Sequence, residues 1–262
     1  MRIALTIAGS DSGGGAGIQA DLKTFQRFGV FGTSAITAVT AQNTRGVTRW
    51  EAISPELVRA QIDAVVGDLP AAAFKSGMLA NAAVASAVAQ AIRDHELRNY
   101  VLDPVMVATS GDVLFESDAI EVIRRELVPL ATLVTPNLHE AAILTGEDIT
   151  DEDAMARAGE ILVKDMGAQA ALIKGGHLDS GERVIDVLYD GDVRAFRARR
   201  LETTSTHGTG CTLSAAITAE LAKGESLHAA VRRSIDYVHN AIATAPGLGS
   251  GHGPLNHLAP DS

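Results

Sequence analysis

The 262-residue chain is 46% hydrophobic and carries 22 basic against 32 acidic residues, a net charge of −10. That length and apolar content suit one large α/β domain, residues 1–262, with a sizeable core, and the acidic balance excludes nucleic acid or an anionic membrane as the main partner. One cysteine excludes an internal disulfide and a cysteine-based metal cluster, and no apolar run approaches membrane-spanning length. The opening MRIALTIAGSDSGGG lacks the apolar core and cleavage pattern of a secretory signal, so a cytoplasmic protein is expected.

In chain order, a short apolar strand, Ile3 to Ala8, leads into a glycine-dense loop containing Gly9, Gly13, Gly14, Gly15 and Gly17. A helix from Ala16 to Phe28 follows, with Ile18, Leu22 and Phe25 on one face. The glycine spacing matches neither a dinucleotide-binding GxGxxG nor a phosphate loop ending in Lys and Ser/Thr. The loop therefore reads as a backbone surface closing over a small ligand. Asp21, one turn into the helix, either reaches a polar group of that ligand or faces solvent. Two β-prone runs, Thr33 to Thr40 and Val47 to Ile53, flank AQNTRGV. Gln42 there offers the donors and acceptor that match an aminopyrimidine edge, or caps a turn.

Strands and helices then alternate. Helices are predicted at Glu56 to Val66, Ala82 to Asp94, Ser117 to Leu127, Leu138 to Leu144 and Glu152 to Lys164, with strands at Ala73 to Ser76, Tyr100 to Asp103, Thr132 to Thr135 and Ala170 to Ile173. This alternation implies a largely parallel sheet covered on both faces, which binds ligands beyond the carboxyl ends of its strands. Asp103, Asn137, Glu140 and Lys174 fall there. Two carboxylates and an amide suit a hydrated magnesium ion, and the lysine suits phosphate charge. Each also has a plain structural reading: Asp103 capping a turn, Asn137 as a helix N-cap, Glu140 favouring the first-turn dipole, Lys174 solvated.

Asp190-Gly191 between two β-prone runs signals a hairpin, expected to project as a small β flap. The arginines Arg194, Arg197, Arg199 and Arg200 read mostly as a solvated face. THGTGCTLSAA, from Thr206, places a Gly-Thr-Gly turn before a helix from Cys211 to Ala222. The free N–H groups and dipole at that helix start make an anion site at Gly208, Thr209 and Gly210, and the same field favours a thiolate at Cys211. A last helix runs from Leu227 to Ala243, and the tail GLGSGHGPLNH has no assigned role. A covalent acyl-transfer reading, with His207 activating Cys211, lacks an orienting third group and leaves the acidic strand ends unexplained.

The segments AGSDSGGGAGIQADLKTF, AVTAQNTRGV, KSGML, LDPVM, TPNLHEA, IKGGH and THGTGCTLSAA together resemble the hydroxymethylpyrimidine and phosphomethylpyrimidine kinases of thiamine biosynthesis, within the ribokinase-like superfamily. The resemblance spans nearly the whole chain in motif order. It implies a three-layer αβα sandwich, a homodimer, and transfer of the ATP γ-phosphoryl group to a pyrimidine alcohol and then to its monophosphate. It puts the pyrimidine against Gly9, Asp21, Gln42, Met78 and Val105. Asp103 and Glu140 would organise Mg2+, with Asn137, Lys174 and Thr209 on the phosphates and Thr209 to Cys211 forming the anion hole. Pyridoxal kinase, or dual activity, is the alternative.

Overall fold

The computed structural model describes residues 1–106, 117–176, 178 and 181–260. His177, the last residue of the IKGGH motif, lies outside the described residues. All nine described strands share one sheet, in the order β3-β2-β1-β4-β5-β6-β7-β8-β9. Its centre is parallel: β1 (Ile3–Asp11), β2 (Phe31–Asn43), β4 (Ala73–Ser76), β5 (Tyr100–Leu102), β6 (Leu133–Val134) and β7 (Ala171–Ile173). Antiparallel strands finish both edges, β3 (Gly46–Ala52) on one side and β8 (Arg183–Tyr189) with β9 (Val193–Arg199) on the other.

Alternation along each buried strand sends neighbouring side chains to opposite cores. Leu5, Ile7, Leu102 and Val134 join the core under α2 (Pro55–Asp68), α3 (Ala82–Asp94), α5 (Leu138–Thr145) and α6 (Glu152–Lys164). Ala4, Val101, Leu133 and Leu172 join the core under α1 (Gly17–Arg27), α7 (Thr209–Lys223) and α8 (Leu227–Ala243). The result is the expected three-layer αβα arrangement. The helix predicted as continuous from Ser117 is α4 (Ser117–Val122) followed by a π-helical turn, Ile123–Leu127, and a 3₁₀ turn at Val128–Leu130. Pro129, which lacks an N–H, stands in that last turn.

The Asp190-Gly191 hairpin does not project as a flap. Val187 and Leu188 are fully buried, and β8 continues the sheet by pairing Ile173 with Val187 and Ala171 with Tyr189. Apolar residues in register with a central strand outweigh the signal of the turn. The antiparallel extension beside the strand ends is instead formed by β2, which runs past Thr40, its last partner on β1, and turns through Thr44 and Arg45 into β3.

Candidate active site

A cleft of about 780 Å³ opens beyond the carboxyl ends of the parallel strands. Gly9, Gln42, Met78, Val105, Asp103, Asn137, Glu140, Lys174, Gly208, Thr209, Gly210 and Cys211 all line it. Asp21 does not. It is fully buried on α1, paired with the equally buried Lys75 at 2.8 Å and accepting the Thr6 hydroxyl at 2.6 Å. The helix periodicity puts Asp21 on the inward face, where a carboxylate needs a cation partner, and β4 supplies one beneath the cleft floor.

One end of the cleft is apolar and small. Met78, Ala38, Ala80, Trp50 and Val105 cluster there, and Met78 folds so near Gly9 that a Cβ would stand 3.2 Å from its sulfur. Gln42 is oriented by Thr40, whose hydroxyl donates to Gln42 Oε1 at 3.1 Å. Gln42 Nε2 lies 3.3 Å from His207 Nε2, and that same imidazole nitrogen is 2.9 Å from Asp11 Oδ2. Asp11 also accepts the backbone N–H groups of Gly13, Gly15 and Ala16, at 2.8, 3.0 and 2.9 Å. Burial raises its carboxyl, but the His207 bond and the N–H groups outweigh burial and hold it below the usual range.

The other end is charged. Lys174 Nζ donates to Asp103 Oδ1 at 3.0 Å and lies 4.0 Å from Glu140 Oε2. Ser214 Oγ, on α7, donates to Asp103 Oδ2 at 3.1 Å. Burial opposes the charge on Asp103, yet Lys174 and Lys75 hold its carboxyl low. Burial, with Asp103 nearby, pushes Glu140 up to about 7 despite Lys174. Lys174, which burial would lower, is pushed up to about 12 by the two carboxylates. Asn137 caps α5: its Oδ1 accepts Glu140 N–H at 2.9 Å while Glu140 Oε2 accepts Asn137 N–H at 2.8 Å. The Asn137 oxygen is thus spent on the cap, and its amide NH2 remains for a ligand.

α7 begins at Thr209, two residues earlier than predicted, with Gly208 as its cap at φ +82. Glycine is required at 208 because a Cβ would collide with the Gly15 carbonyl. Thr209 Oγ1 donates to Thr206 O at 2.7 Å, which leaves the Gly210 and Cys211 N–H groups, with no acceptor among the described residues, at the helix start. A Cβ on Gly210 would stand 3.1 Å from Lys174 Nζ, so helix start and lysine meet at one point. Cys211 is half-buried. Burial pushes its thiol up to about 12, reinforced by Asp21 and Asp103 and opposed by Lys75 and the Gly17 N–H. The expected thiolate is therefore opposed: the loss of water and the two carboxylates outweigh Lys75 and the Gly17 N–H.

A family model described as phosphomethylpyrimidine kinase matches residues 11–256. The chain belongs to the phosphomethylpyrimidine kinase family. It is 54% identical over 260 residues to the hydroxymethylpyrimidine/phosphomethylpyrimidine kinase of Rhizobium meliloti, covering 98% of this chain and 97% of that one. Among solved structures, an ADP complex of Bacillus subtilis pyridoxal kinase superposes with TM-score 0.90 at 39% identity, covering 99% of this chain and 98% of the other. Phosphomethylpyrimidine kinase from Clostridium difficile superposes with TM-score 0.82 at 40% identity, covering 92% and 100%. The fold is ribokinase-like, and the protein is an ATP-dependent phosphotransferase.

Two further carboxylates line this kinase's cleft, Asp11 and Asp186, and a third group, Lys75, is buried beneath it. Asp11 is the one carboxylate inside the glycine loop, a signal that was available. Lys75 is a buried cation in a short strand, and no pattern marks it. Burial lowers its ammonium, but Asp21, Cys211 and Asp103 more than restore it. Asp186 lines the cleft from β8 and accepts Gly175 N–H at 2.9 Å. Burial pushes its carboxyl up to about 6, against the Gly175 N–H and Lys174. A raised carboxyl in the folded state makes stability fall as pH rises through the window from 3.8 to about 6. Asp186→Asn, which keeps an acceptor for Gly175, is expected to remove about 1–2 kcal/mol of that decline, the side chain's residual solvent contact reducing the full effect. Urea midpoints on either side of the window, compared between the two proteins, measure it; parallel curves would deny the burial effect. Of the arginine cluster, Arg197 pairs with Glu152, and Arg200 donates to the carbonyls of Gly176, Leu178 and Gly181.

Proposed function

We propose that the kinase transfers the ATP γ-phosphoryl group to the hydroxymethyl alcohol of an aminopyrimidine and then to the resulting monophosphate, giving the diphosphate used in thiamine biosynthesis. The observation carrying this reading is one cleft with a small apolar end bearing the Gln42 amide and a charged end where Lys174 meets the α7 amides. Phosphoryl transfer asks mainly for positioning and charge stabilisation, which these groups supply. The ADP complex of the pyridoxal kinase neighbour supports ATP as donor.

The donor set also fits a hydrated magnesium ion. Asp103 and Glu140 are near-neighbours through Lys174. Two carboxylates suit an ion whose shell is completed by water and phosphate. Bound there, magnesium would neutralise charge on the terminal phosphates. Lys174 and the Asn137 amide NH2 would hold phosphate oxygens, and the Gly210 and Cys211 amides would receive the transferring group. Among the described residues no helix is long and apolar enough to cross a membrane. We read the protein as cytoplasmic and homodimeric, the latter supported by Val39, an exposed apolar residue on β2 where it pairs with the edge strand β3.

The deciding assay is ATP consumption with hydroxymethylpyrimidine, its monophosphate, pyridoxal and ribose. Turnover of the first two is expected, and turnover of ribose alone would overturn the reading. Gln42→Leu should weaken the aminopyrimidine by about 1–3 kcal/mol, because its ring nitrogen and amino group would face unpaired burial, while ADP binding stays unchanged. Calorimetry with each ligand separates the two. Equal losses for both, or none, would make Gln42 structural.

A further inference from the structure

The glycine-rich tail is built into the cleft wall. Beyond α8 the chain passes the β2–β3 turn, where Gly251 N–H lies 3.4 Å from Thr44 Oγ1 and His252 N–H donates to the Thr44 carbonyl at 2.8 Å. Arg45 Nε donates to Ser250 Oγ at 2.7 Å from the other side. One residue further on, Gly253 N–H donates to Thr204 O at 3.2 Å and Gly253 O accepts His207 N–H at 3.1 Å, with Pro254 bridging His207 in parallel. Within four residues the chain is handed from the turn that follows Gln42 to the turn that opens α7.

The approach is close enough to demand glycine. A Cβ on Gly251 would run into the Thr44 carbonyl, and one on Gly249 into the Thr44 side chain. The segment is also anchored behind. Leu255 and Ala259 are buried in the core under α7, and His257 Nε2 lies 3.2 Å from the Thr212 hydroxyl on α7 itself. Its two contact points therefore share one rigid anchor.

We propose that residues 249–254 are a positioning strap that couples the aminopyrimidine end of the cleft to the phosphoryl end, with Gly251 and Thr44 as its joint. The proposal rests on the functional reading above. Ligand at Gln42 fixes the β2–β3 turn, the strap fixes His207 and Gly208 with it, and the α7 amides are held where phosphate oxygens meet them. Cooperation of this kind is a coupling between two binding events and is reciprocal.

The test is calorimetry of hydroxymethylpyrimidine binding with and without a saturating non-hydrolysable ATP analogue and magnesium. In the wild-type protein the analogue should tighten pyrimidine binding by about five- to tenfold. Gly251→Ala should bind each ligand alone but lose most of that factor, whereas Leu248→Ala, at an exposed neighbour, should keep it. A merely structural role would lower the melting temperature and the active fraction without touching the factor. If Gly251→Ala does not fold, Thr44→Ala, which deletes the hydroxyl facing Gly251, carries the test and should reduce the factor at least about twofold. Full coupling in a folded Gly251→Ala or Thr44→Ala, or none in the wild type, overturns the strap alone. Wild-type protein that binds the analogue but no aminopyrimidine overturns the functional reading and the strap with it.

Discussion

Replacing Lys174 by alanine is expected to lower kcat by about 10²–10³-fold while pyrimidine affinity stays close to that of the wild type. The lysine touches the phosphoryl end only: its ammonium sits at Asp103, near Glu140, and against the first turn of α7. Its interaction grows as charge develops on the transferring group, so the loss belongs in turnover rather than in substrate binding. The substitution also strips two buried carboxylates of their cation. Breaking a buried pair typically costs about 3–5 kcal/mol, and here Glu140, already pushed up to about 7, can take a proton and soften the penalty. Steady-state kinetics and pyrimidine calorimetry on the folded fraction separate the effects. Undiminished kcat would take Lys174 out of the reaction.

Cys211→Ala is expected to act unequally on the two phosphorylations. Only the first acceptor, an alcohol, has a proton that must leave; the second, a phosphate monoester, is already largely ionised near neutral pH. A base contributes about 10²–10⁴-fold where it is used, and a loose transition state places the demand at the low end. The first transfer should therefore fall by about 10²-fold and the second by about tenfold at most. Cys211→Asp should retain more of the first transfer than Cys211→Ala. Because the thiol is pushed up to about 12 in the free protein, iodoacetamide should label it slowly at neutral pH. Rapid-quench time courses resolve the two products. Equal losses in both transfers would mean that Cys211 only shapes the anion hole.

Much of this site was legible in the sequence because its parts obey local rules. Asp103, Asn137, Glu140 and Lys174 each follow an apolar strand, and in a parallel sheet that position alone delivers them to one rim. The Gly-Thr-Gly turn reads as a helix start for equally local reasons. Failures arose where a tertiary term reversed a local one. Asp21 is one turn inside α1, as expected, but its environment is decided by Lys75, fifty-four positions away. The helix start favours a Cys211 thiolate, yet burial and two carboxylates reverse the sign. Asp190-Gly191 does make a turn, but pairing with β7 decides that the hairpin joins the sheet. The tail from Gly247 has no periodicity because its job is contact at single points, which composition does not reveal.

The Asp11–His207 contact joins residues 196 positions apart, and the strap adds residues 249–254 to the same wall. A chain emerging from the ribosome therefore lays down the pyrimidine end early and must wait for nearly its whole length before the phosphoryl end exists. Non-local closure of this kind is slow, and it comes last. A partly synthesised chain can shelter its parallel strands without ever holding ATP productively beside an acceptor.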